Sequence, residues 1–154
     1  MLKIILCLTL IASLTYGQET FWSACPNSNG VAPDLVESDA CSGTLCQGQR
    51  GTVLTADVTF TPRQNHNNLE VRVFATILGI TVLLPSEPPH DNACNSIFLN
   101  NQQQQCPIQG QRQYVWKIDM PIPQSLPALN TRIRYEIWDG TTEAMCAIIN
   151  AILT

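Results

Sequence analysis

The chain has 154 residues, a formal net charge of −4, and 45% hydrophobic against only 13% charged residues, where about a quarter charged is usual. That is one domain's length, and its scattered Lys and Arg exclude the clustered basic surface that nucleic acid or strongly anionic membranes require. Gln, Asn, Ser and Thr must cover much of the surface, as the run Gln102 to Gln105 illustrates.

At the N-terminus, Lys3 precedes the apolar stretch Ile4 to Leu14, and Thr15-Tyr16-Gly17 ends in a small residue. The stretch is far shorter than the roughly 20 residues that cross a bilayer. Residues 1–17 therefore read as a cleaved signal peptide, and 18–154 as one mature, soluble domain. The expected destination is the extracellular fluid, although a signal peptide also opens the route to an endolysosomal lumen.

Strand signals then follow one another with almost no helix signal. Short strands are expected near Phe21–Cys25 and Asp34–Asp39. From Thr52 to Phe60 the pattern alternates, with Leu54, Ala56, Val58 and Phe60 on one face and Thr55, Asp57 and Thr59 on the other. Leu69, Val71, Val73, Ala75 and Ile77 share a second apolar face opposite Glu70 and Arg72. Gly79 permits a bend or bulge, Ile80 to Leu84 continues the apolar run, and Pro85, Pro88 and Pro89 then forbid regular pairing.

The next strand places Tyr114, Trp116, Ile118, Met120 and Ile122 on one face, with Lys117 and Asp119 opposite. Pro121, Pro123 and Pro127 make the following connection irregular. Ile133, Tyr135 and Ile137 oppose Arg132, Arg134 and Glu136, and Asp139-Gly140 is a hairpin turn signal. Met145 to Leu153, which includes Ile149, closes the domain as a last apolar strand. About seven short strands in one domain are the signature of an all-β, immunoglobulin-like sandwich of two antiparallel sheets.

Of the seven cysteines, Cys7 leaves with the leader. The remaining Cys25, Cys41, Cys46, Cys94, Cys106 and Cys146 form an even set, which in a secreted chain reads as three disulfides of formally open connectivity. Cys41 and Cys46 suit a short loop and Cys94 with Cys106 a longer one, which would leave Cys25 and Cys146 to tie the ends together. A zinc site is disfavoured because no CxxC occurs and His66 and His90 sit in polar or Pro-rich segments, where both are expected to be solvated. No metal or cofactor is expected. Without GxSxG, a paired-carboxylate site or a free mature cysteine, the chain does not read as an enzyme. No N-x-[ST] sequon occurs in the mature chain.

Several of these pieces form a recognisable set: Cys41 with Cys46, Asp57-Val58-Thr59-Phe60, Gly79 before a Pro-rich segment, and Cys94 with Cys106-Pro107-Ile108. Tyr114, Pro121-Ile122, Tyr135-Glu136 and Cys146 complete it. In order and spacing the mature chain resembles the ML (lipid-recognition) family, which takes in the small soluble Niemann–Pick type C carrier and arthropod relatives such as mite group-two allergens. The resemblance implies bridges Cys25–Cys146, Cys41–Cys46 and Cys94–Cys106. It also implies that the apolar space between the sheets opens at one end to hold a hydrophobic ligand: a fatty acid, a sterol or a semiochemical.

Alternation alone is equally satisfied by a filled core. With the resemblance, the cavity is expected among Leu54, Ala56, Val58 and Phe60, then Val73, Ala75, Ile77 and Leu84. Trp116, Met120, Ile122, Leu126 and Leu129 continue the set, and Ile133, Tyr135 and Ile149 complete it. Leu84 and Leu126 stand where the family's sterol carriers have entrance aromatics, Ile122 matches a pocket valine, and Tyr135 replaces a pocket tryptophan. A flat steroid gains from rigid aromatic walls, whereas an acyl chain packs well against aliphatic ones. The expectation is thus a monomeric secreted lipid carrier, with a receptor or membrane as its partner in ligand transfer. The alternative is an innate-immune lipid-recognition module that docks a receptor.

Overall fold

A computed structural model describes residues 20–154; the signal-peptide expectation for 1–17 lies outside them. Twelve strands form two sheets. The first strands are β1 (Trp22–Ala24), β2 (Leu35–Glu37), β3 (Cys41–Ser42), β4 (Leu45–Gly48) and β5 (Val53–Phe60). They are followed by β6 (Glu70–Ile77), β7 (Ile80–Leu84), β8 (Ile97–Leu99) and β9 (Gln102–Gln103). The long strands β10 (Tyr114–Pro121), β11 (Leu129–Asp139) and β12 (Thr142–Leu153) come last. The larger sheet runs β3-β4-β12-β11-β6-β7 with β1 also on β12, and the smaller runs β2-β5-β10-β8-β9. This is the immunoglobulin-like sandwich that the alternating patterns require.

Register converts those patterns into two inner faces. In the smaller sheet Trp116 lies opposite Val58, Ile118 opposite Ala56, and Met120 opposite Leu54. In the larger, Ile133, Tyr135 and Ile137 lie opposite Ala75, Val73 and Val71. Phe60, Leu69, Ile97, Ile137 and Met145 are fully buried, and each such side chain contributes about 1.5–3 kcal/mol on leaving water. β12 is buried on both faces over Ala144–Ile149, which explains why that segment shows no clean alternation.

All three disulfides pair as the resemblance implied: Cys25–Cys146, Cys41–Cys46 and Cys94–Cys106. The Asp139-Gly140 turn lies between β11 and β12, with Gly140 at φ 59°.

Three local readings change. The expected bend at Gly79 is a complete reversal, because Leu78 and Gly79 both take positive φ, 50° and 82°, the backbone of a two-residue hairpin turn. Ile80–Leu84, expected to continue the apolar run, is consequently a separate edge strand: Leu78, Ile80 and Leu83 are 95%, 67% and 62% exposed. His66, expected in solvent, is buried. Its loop pairs with the Cys106–Gln111 segment through His66 N to Ile108 O and Ile108 N to His66 O, 3.0 and 2.9 Å. His90 is exposed, as expected.

Candidate functional site

The interior is filled at one end of the sandwich and hollow at the other. In the filled half, large side chains close the gap between the sheets. Trp116 meets Tyr135 edge-on with ring centroids 6.3 Å apart, and Phe60 lies against Tyr114 at 6.5 Å. One register row further along, Tyr135 opposite Val73 gives way to Ile133 opposite Ala75. The side chains shrink there, and the sheets no longer fill the space between them. Ala75 is buried yet stands outside the contiguous core cluster.

The hollow is walled by Ala75 and Ile77 of β6, Leu84 of β7, and Leu129, Thr131 and Ile133 of β11. Met120 and Pro121 of β10, Leu153 of β12, and the irregular lip Ile122, Pro123, Leu126 and Pro127 complete it. It contains about 440 Å³ of space between atoms, part of it open to solvent, of which about 40 Å³ is wide enough for the centre of a water-sized sphere. Only the second figure is comparable with the volumes of small-molecule sites, and it lies well below their usual few hundred Å³. The hollow as it stands is too small for a long ligand, which would fit only with the walls further apart.

No charged residue lines this space. Its one hydroxyl, on Thr131, donates to Thr76 O at 3.0 Å and makes no demand on a ligand. The floor is Met120, whose Sδ accepts a bond from the Tyr135 hydroxyl at 2.9 Å. Burial raises the pKa of that phenol far above its ordinary value, so it remains neutral. At the lip, Gly48 packs under two cavity side chains: a Cβ there would stand 2.6 Å from Ile122 Cδ1 and 3.2 Å from Leu153 Cδ2, so those side-chain ends would have to shift.

Eight of the residues singled out in the sequence therefore meet at one cavity: Ala75, Ile77, Leu84, Met120, Ile122, Leu126, Leu129 and Ile133. The other eight are buried outside its wall. Ala56, Val58, Phe60, Val73, Trp116 and Tyr135 belong to the filled core, Leu54 lies behind Met120 on the neighbouring strand, and Ile149 lies beside Ile133 on β12. Thr131, Leu153 and the lip prolines were not anticipated. The prolines stood next to Ile122 and Leu126 in sequence and could have been included on that ground.

A second hollow at the opposite end, by β5–β6 and the β11–β12 turn, is walled mainly by polar and charged side chains, Asn29, Arg63, Gln64, His66, Thr142 and Glu143, with Val31 and Ala144 beside them. Its polar lining does not suit an apolar ligand. Nor does the one His/Cys/Asp/Glu cluster found among the described residues, Glu136 with Glu143 and Cys146, suit a metal. Cys146 is in a disulfide, Glu136 accepts from Trp138 Nε1 and pairs with Arg134, and Glu143 accepts from Ser28 and Asn29. No helix among the described residues is long and apolar enough to cross a membrane.

Comparison with known proteins agrees with the fold. A profile of the ML domain matches residues 19–153. The chain is similar to the zebrafish (Danio rerio) NPC intracellular cholesterol transporter 2, 26% identical over 113 residues, covering 73% of this chain and 70% of that protein. Its fold is similar to the crystal structure of a Niemann–Pick type C2 protein from the Japanese carpenter ant. That match has a TM-score of 0.73 at 18% identity and covers 86% of this chain and 98% of the other.

Proposed function

The chain belongs to the ML-domain family, a family of lipid-binding proteins and not of enzymes, and from that premise we propose that it is a secreted carrier of a single lipid. The observation that carries the reading is the uncharged, aliphatic cavity at one end of the sandwich, whose one polar side chain is already satisfied. Such a wall selects by apolar area: each methylene taken from water contributes about 0.8 kcal/mol. A long tail thereby reaches micromolar affinity or better once association costs are met. The two sheets share no strand, so they can separate at the cavity end without breaking a ladder hydrogen bond.

The wall favours a flexible acyl chain over a rigid sterol. No aromatic side chain lines it, and Leu84 and Leu126 stand at its edge. Three disulfides support an oxidising compartment, which agrees with the signal peptide expected from the sequence of residues 1–17. The test is displacement of a fluorescent fatty acid from the purified protein. Oleate is expected to displace the probe at lower concentration than cholesterol does. If the probe neither binds nor is displaced, the carrier reading fails, and the receptor-docking alternative takes its place.

A further inference from the structure

One wall of the cavity runs on past the sheet that faces it. To this end of the sandwich the larger sheet brings β12, β11, β6 and β7, and the smaller brings only β5 and β10, through Leu54 and Met120. The other strands of the smaller sheet stay in the filled half: β2 pairs with β5 at Asp57, Val58 and Thr59, and β8 pairs with β10 at Val115 and Trp116. A last bond ties Lys117 N to Ser96 O. Past it, β10 is a free edge among the described residues, and the smaller sheet stops short of β7.

Register shows which side chains of β7 are left bare. Leu84, Val82 and Ile80 lie opposite Val73, Ala75 and Ile77, and directly opposed residues share one face of a sheet. These three therefore point toward the layer between the sheets, and Thr81 and Leu83 point away from it. Leu84 lines the cavity. Val82 and Ile80 are exposed, although each stands across from a residue of the cavity wall, Ala75 and Ile77. The wall thus continues beyond the hollow as an uncharged apolar strip, roughly 13 Å from Leu84 to Ile80 at the rise of an extended strand.

We infer that this strip is the outer part of the ligand site: the hollow takes one segment of a long acyl chain, and the rest passes between β7 and the free edge of β10 to lie along Val82 and Ile80. This rests on the carrier reading and adds to it a dependence on chain length. The hollow itself has room for only a short apolar segment, and every methylene left in water forgoes about fourfold in affinity. The occupant must also enter at the side of a layer roughly 10 Å thick between two sheets. A single hydrocarbon chain is thin enough to do so, whereas a membrane surface or the face of a second chain is not.

The test compares oleate with decanoate, the same head group on a much shorter tail, by displacement of one fluorescent fatty acid. It reads the ratio of the two affinities, in which the affinity of the probe cancels. Ile80→Thr combined with Val82→Thr keeps β-branched residues in the strand and places hydroxyls on the strip. The double variant is expected to lower the preference for oleate about tenfold, the burial of fewer than two methylenes, with decanoate affinity unchanged. Leu83→Thr, on the opposite face of the same strand, is expected to leave the ratio alone. A wild-type ratio in the double variant would overturn the inference with the carrier reading intact. An equal loss for both lipids, or the same loss in Leu83→Thr, would do so too. Failure of the wild type to bind either lipid would remove both.

Discussion

Two identical substitutions separate a cavity from a core. Ala75 and Ala147 are both buried alanines of the larger sheet, 5% and 2% exposed. Ala75 borders the cavity opposite Ile133, whereas Ala147 lies in the filled half opposite Tyr135. Leucine adds three carbons at either site. At Ala75 they enter existing space, and at about 0.8 kcal/mol each they offer up to about 2 kcal/mol of stabilisation. At Ala147 no space exists, and overpacking costs about 1–3 kcal/mol. Urea unfolding should place Ala75→Leu about 3 kcal/mol above Ala147→Leu. Binding should show the reverse: the new side chain displaces about three methylenes of ligand, so oleate affinity falls on the order of fifty-fold in Ala75→Leu, while Ala147→Leu retains it. Equal destabilisation by the two variants, with binding unaffected by either, would refute the reasoning.

Two further outcomes concern stability. Burial lowers the pKa of His66 from 6.5, against the smaller opposing pull of Asp139, whose Oδ2 stands 3.6 Å from Nδ1. The folded state therefore binds the proton less readily than the unfolded one, so stability is full above about pH 6.5 and falls as the pH drops through the folded-state value. His66→Gln should show a shallower loss of urea midpoint between about pH 7.5 and 5 than the wild type; an identical loss would assign the effect to other groups. Removing Cys25–Cys146, which spans 121 residues of sequence, should cost about 5 kcal/mol, against about 2 for Cys41–Cys46, separated by 5. Replacing each pair by alanine and measuring unfolding checks the order, and the reverse order would contradict the loop-entropy account.

Much of the architecture was legible because a two-residue period survives folding directly. Leu54 to Phe60, Val71 to Ala75 and Tyr114 to Ile118 all turn inward as their alternation requires. The extent of the cavity was not, because an inward-facing side chain gives the same pattern whether it meets a partner or a void. Val73 and Ala75, or Tyr135 and Ile133, differ in size and not in period, and the cavity begins where the smaller of each pair stands. The exposed β7 was hidden for a related reason: an apolar run reads alike in a buried strand and at a bare edge. β3, β4, β8 and β9, at two to four residues each, are too short to signal themselves. His66 was misplaced because its burial comes from pairing with Ile108, a contact between two loops.

The central claim is that the hollow between Ala75, Met120 and Ile133 receives a lipid. Native mass spectrometry of the purified protein, followed by extraction of what it carries, tests this most directly. The account predicts a mass increment of one lipid per chain, released as a long-chain fatty acid and diminished in Ala75→Leu. A bare chain that also takes up no added oleate would contradict it.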